Sequence, residues 1–236
     1  MRSEIENAEA INTQRIYARL AGALFLWEIV LALGSGFMLS RIAGSGTFAE
    51  TAKRIAASEH LYRAALSAVV IVSMGSALLA FALYVTLKPV DRLLAQLAMI
   101  FSLGDSFLAL IVRMCGFVRL HLFNTAGGAT VAAETLADLM RSIAATTENI
   151  GGICFGTGSL LFFSLFFKSR YIPRAISGLG LAASVIWTGL YFASLVLPEQ
   201  RTLHQKICFP PMVLTDVLTG FYLMLFAVKT GDRAVS

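Results

Sequence analysis

The stretch Leu93–Asn124, LLAQLAMIFSLGDSFLALIVRMCGFVRLHLFN, decides the fold class. Its first twenty residues are apolar apart from Gln96, Asp105 and a few small polar groups. At about 1.5 Å of rise per residue, such a run crosses a hydrocarbon core of ~30 Å as one helix. The rest of the chain repeats the pattern. Of 236 residues, 57% are hydrophobic and 14% charged, where a soluble domain carries about 25% charged residues. The mean hydropathy is +0.76. A membrane barrel would show alternating segments of ~10 residues; these runs are continuous, so helices are the spanning element.

Working outward, six spans are expected, at about Leu20–Ser40, Leu61–Leu87, Leu93–Phe123, Thr147–Phe167, Ala175–Leu197 and Met212–Val228. Pro89, Pro198 and the pair Pro210-Pro211 set three of the boundaries, because proline disfavours helix in the residue before it. Two short amphipathic surface helices complete the all-α polytopic reading. The first opens at Thr47, where Thr47-Phe48-Ala49-Glu50 has the form of a capping box. The second follows a break at Gly127-Gly128 and carries an apolar stripe of Leu136, Leu139, Met140 and Ile143 opposite Glu134, Asp138 and Arg141.

An even number of spans puts both ends on one side. The short turns Lys88–Arg92 and Lys168–Arg174 hold five basic residues. The positive-inside rule therefore places these turns and both termini in the cytoplasm. The domain plan is a cytoplasmic tail over residues 1–19, a membrane unit over 20–228 and a second cytoplasmic tail over 229–236. The acidic lead and Glu28 within the first span argue against a cleaved signal peptide. The net charge of +5 is scattered through short loops. It suits contact with anionic lipid and gives no nucleic-acid surface.

Three stretches in order carry a resemblance: Ala18–Phe25 (ARLAGALF), Ala57–Arg63 (ASEHLYR) leading to Ala82–Arg92 (ALYVTLKPVDR), and Ser169–Gly178 (SRYIPRAISG). Together they resemble the bacterial membrane family catalogued as domain of unknown function 4386, over most of the chain from about Arg15 to Val228. The resemblance implies a multi-helix bacterial membrane protein, and an inner-membrane location is expected for it. It brings no activity, cofactor or catalytic residue.

Glu28, Asp105, Arg113 and Asp216 are ionisable residues that fall within or at the edge of the spans. Charge at membrane depth costs a few kcal/mol, so such groups turn inward and find partners. They are the candidate ligand-binding residues. Asp105 lies about 20 Å beyond Arg92 by helical rise, which places it with Asp216 in the outer half. Arg113 is about 12 Å further out and ~80° round the helix, where it can snorkel to the interface. Glu28 is expected to meet a Ser or Thr of a neighbouring helix. Ser102 and Ser106 can donate to Asp105, and Gly104 permits close approach of backbone. His60, His121 and His204 with a carboxylate are an alternative zinc set, although no HxxH, HxxxH or HExxH spacing is present.

Cys115 and Cys208 both fall towards the outer side, where a single bridge is an option. Gly152 and Gly156 form a small-xxx-small face, suited to packing within the chain or to a homo-oligomer. No phosphate loop, nucleophile elbow or Walker sequence occurs. The leading expectation is a non-enzymatic membrane protein that binds or moves a small or lipid-like molecule in an outward-facing polar cavity. A metal-dependent membrane-embedded hydrolase and a structural or partner-binding subunit are the alternatives.

Overall fold

The structure is a computed structural model that describes residues 2–125 and 131–228. The expected break at Gly127-Gly128 and the tail over 229–236 lie outside the described residues. Seven α-helices are present among the described residues: α1 Arg2–Ala43, α2 Phe48–Ala57, α3 Glu59–Leu87, α4 Arg92–Thr125, α5 Val131–Ser169, α6 Arg174–Val196 and α7 Arg201–Phe226. Six of them, all but α2, are long and apolar enough to cross a membrane. The shortest of the six, α6 with 23 residues, reaches about 35 Å by helical rise.

The six long helices form a closed ring. Each packs on the next in the order α1, α3, α4, α5, α6, α7, and α7 returns to α1. Large apolar side chains point away from the ring at helical spacing. On α4 the exposed residues include Leu93, Leu97, Ile100, Phe107, Ile111 and Met114. On α7 they include Leu203, Ile207, Leu214, Leu218, Phe221 and Leu225. Such stripes would be a liability in water; against acyl chains they are the lipid face. Packing between the helices relies on small residues. Where α1 meets α7, a Cβ on Gly22 would lie 2.7 Å from the Gly220 carbonyl oxygen and 2.5 Å from the Met224 amide nitrogen. Only glycine allows the ring to close that tightly.

At the end that carries the start of α1, the end of α7 and the two basic turns, Leu83, Leu87, Phe163, Phe166 and Ile172 are buried in one core. Gln14 reaches in from α1, donating from Nε2 to the Thr86 carbonyl at 2.7 Å and to Tyr171 at 3.1 Å. Asp91 accepts from the Leu94 amide at 3.1 Å and so caps α4. It also lies 3.9 Å from Lys168, which ties the two turns together.

Three boundaries, and the packing of one short helix, differ from those the sequence suggests. The first helix does not begin near Leu20 but runs unbroken from Arg2, since nothing in the polar lead breaks a helix. The helix at Thr47 forms with its capping box: the Glu50 amide donates to Thr47 Oγ1 at 3.3 Å, and the Thr47 amide donates to Glu50 Oε2 at 3.0 Å. Its apolar face turns onto protein, however. Ala52 and Ile55 are buried with Tyr62, Leu66, Leu120 and Phe123. The second surface helix is not separate but forms the first turns of α5. There the small residues Ala133 and Ala137 are buried, while Leu136, Leu139 and Ile143 remain exposed. Finally, α7 begins at Arg201 and carries Pro210 and Pro211 inside it. A proline removes a backbone donor without forbidding a helix that its neighbours hold, as membrane bundles permit.

Candidate functional site

Two cavities adjoin inside the ring. The inner one, of about 50 Å³, is lined by Glu28 of α1, Ser76 of α3, Asp105 of α4, Ser159 of α5 and Asp216 of α7, among apolar side chains. The outer one, of about 230 Å³, is lined by residues of all six long helices, including Ser73, Arg113, Glu148, Trp187 and Tyr191. Asp105, Ser76 and Phe155 line both, so Asp105 stands where the compartments meet.

The ring order explains the convergence. Glu28, Asp105 and Asp216 lie on three different helices at similar depth, and each turns inward because an unpaired charge cannot face lipid. The Ser76 hydroxyl donates to Glu28 Oε2 at 3.1 Å, the serine partner from a neighbouring helix that the sequence led us to expect. Glu28 Oε1 is buried with no hydrogen-bond partner. The carboxylates of Asp105 and Asp216 accept no hydrogen bond among the described residues. Ser106 does not serve Asp105; its hydroxyl donates to the Ser102 carbonyl at 3.0 Å. Close approach is provided by Gly151 rather than by Gly104. A Cβ at Gly151 would lie 3.0 Å from Asp105 Oδ1, whereas one at Gly104 would make only ordinary contact with Cys154 at 3.8 Å.

Arg113 lines the outer cavity with Asp105 instead of snorkelling outward, and its Nε is buried without a hydrogen-bond partner. At the same level Arg201 pairs with Glu148. Arg201 Nε also donates to Asn149 Oδ1 at 3.1 Å, which braces α5 against α7. Trp187 Nε1 donates to the Gly152 carbonyl at 2.9 Å, and the indole stacks on Tyr191 with centroids 5.0 Å apart. These aromatic residues occupy the small-xxx-small face. A Cβ at Gly152 would strike Tyr191, and one at Gly156 would lie 2.9 Å from Trp187. That face is therefore used within the chain and is not free for a second copy.

Glu148 and Arg201 were missed in the sequence because each stands at the end of a span and reads as a loop charge. Their opposite signs at the outer ends of α5 and α7 were the available signal. Ser76 and Ser159 gave none.

The zinc alternative is not assembled. His60 and His121 are exposed, whereas His204 is buried and its Nδ1 lies 2.8 Å from Ser194 Oγ. Among the described residues no group of three His, Cys, Asp or Glu side chains is placed to hold a metal ion. Cys115 and Cys208 are free and buried, on helices α4 and α7, so the bridge does not form.

One known family matches the chain, over residues 20–227: the family described as a domain of unknown function, DUF4386. No curated protein and no solved structure matches it.

Proposed function

The chain belongs to the family of domain of unknown function 4386, and from that premise we propose that it binds or moves a small or lipid-like molecule through the centre of its helix ring. One observation carries this: Glu28, Asp105 and Asp216 line one cavity from three helices. A bundle that needed only to be stable would fill that space with apolar side chains, since buried charge contributes little to stability. In this reading the ligand enters from the side of Arg113 and Glu148 and is held at Asp105. Residues 20–228 are the membrane unit. The first nineteen residues are a cytoplasmic extension of α1 and the last eight a cytoplasmic tail. The protein then sits in a bacterial inner membrane, with Lys88, Arg92, Lys168, Arg170 and Arg174 facing anionic lipid on the cytoplasmic side.

The test is native mass spectrometry of the purified protein in mild detergent, on wild type and on Asp105→Asn. A stoichiometric small molecule or lipid on wild type, absent from a folded Asp105→Asn, is the expected result. An identical ligand load on both would remove Asp105 from the site, and bare protein in both would count against a ligand cavity.

A further inference from the structure

We infer that the inner cavity takes the positively charged head of a small organic amine whose apolar part lies in the outer cavity. The inference rests on the ligand-binding reading above and adds the chemical class of the ligand.

The first ground is charge. The inner cavity is lined by three carboxylates and by no Lys, Arg or His. An anion would find no cationic partner there, and a neutral apolar ligand would leave Glu28 Oε1 and the carboxyl groups of Asp105 and Asp216 without partners. The second ground is unmet hydrogen bonding. Glu28 Oε1 is buried and unpartnered, and Asp105 and Asp216 accept nothing from the described residues. Their oxygens wait for a donor that carries positive charge, the strongest partner a buried carboxylate can have. The third ground is aromatic. Phe25, Phe155, Phe162, Phe163 and Phe166 line the same cavity, and ring faces attract an ammonium group, most strongly when it is desolvated.

Size and geometry narrow the class. By the measure in which one water needs about 10–15 Å³, a cavity of about 50 Å³ suits an ammonium head with a carbon or two. The carboxylates are not grouped closely enough to hold a metal ion, so a bare divalent cation is a poor fit. The outer cavity adds Trp187, Tyr191 and Phe209 as walls for an apolar substituent. Arg113 on the same wall disfavours a second cation there.

Three probes of one shape test this: benzylammonium, benzyl alcohol and benzoate, titrated calorimetrically into the full-length protein in neutral-lipid nanodiscs at pH 7. Benzylammonium is expected to bind about tenfold or more tighter than benzyl alcohol, the scale of a charge-assisted hydrogen bond, with no binding of benzoate. Asp216→Asn and Glu28→Gln should each weaken benzylammonium by about tenfold and leave benzyl alcohol unchanged. Should either variant fail to fold, the ranking of the three probes on wild type decides alone. Benzyl alcohol or benzoate binding as tightly as benzylammonium would overturn the amine assignment while leaving the ligand cavity standing. So would failure of all three probes on protein whose co-purified small molecule carries no amine, whereas a co-purified amine would support the assignment. If no probe binds and nothing co-purifies, both readings fall.

Discussion

Replacing Gly22 with alanine tests the closed ring most directly. A methyl group there would lie 2.5 Å from the Met224 amide nitrogen and 2.7 Å from the Gly220 carbonyl oxygen. Carbon contacts settle at about 3.5–4.0 Å, so α1 must withdraw from α7 by roughly 1 Å. Both struck atoms are helix backbone and cannot rotate away. Overpacking of this kind costs about 1–3 kcal/mol. Alanine recovers about 1 kcal/mol through its helix propensity. The net expectation is a loss of up to roughly 2 kcal/mol. Gly34→Ala on the same helix is the control, because a Cβ there meets nothing within 4 Å; it should be neutral or stabilising by up to about 1 kcal/mol. Thermal unfolding in detergent reads the difference at about 2–4 °C per kcal/mol for a chain of this size. If Gly22→Ala melts at or above Gly34→Ala, α1 and α7 do not touch as described and the ring is open.

Three further outcomes are expected. Trp187→Phe removes the donor to the Gly152 carbonyl and part of the aromatic stack, and should lower stability by about 1–2 kcal/mol, read by the same melt; an unchanged melting temperature would show that the indole is not engaged with α5. Glu148→Gln breaks a pair whose side chains are 45% and 22% exposed, so it should cost no more than about 1 kcal/mol, with the difference shrinking as salt is raised. Cys115 and Cys208 should resist a water-soluble maleimide until the protein is unfolded, and reduction should leave gel mobility unchanged; a mobility shift on reduction would establish the bridge that the structure lacks.

The spans were legible because length and apolarity are properties of a segment alone. Where the boundaries went wrong, packing overrode local pattern. Pro210 and Pro211 look like the start of the last span, but Arg201, His204 and Gln205 are held by residues of α5 and α6, so the helix starts well before Met212, at Arg201. The stripe of Leu136, Leu139 and Ile143 looks like a face for a water–lipid interface, yet the buried residues there are Ala133 and Ala137. The site was half legible. Glu28, Asp105 and Asp216 each stand out as a charge in an apolar run. That they meet depends on α1 lying beside both α3 and α7, which no single segment encodes. Arg113 turned inward for the same reason: the ring gives it an interior cavity, which a lone helix lacks.

The seam at Gly22 and Gly220 also has a bearing on biogenesis. The helices are made in the order in which they stand around the ring, so each new one can dock on its predecessor as it leaves the translocon. The last joint is different, because it unites the first helix made with the last. Until α7 has been inserted, five helices form an open arc, with Glu28 and Asp105 on a wall that has a side exposed to lipid. The nascent chain must shield Glu28, and later Asp105 as well, from hydrocarbon until α7 is in place. That exposed arc is the species a membrane chaperone or quality-control protease would meet, and its lifetime ends when Gly220 slides against Gly22.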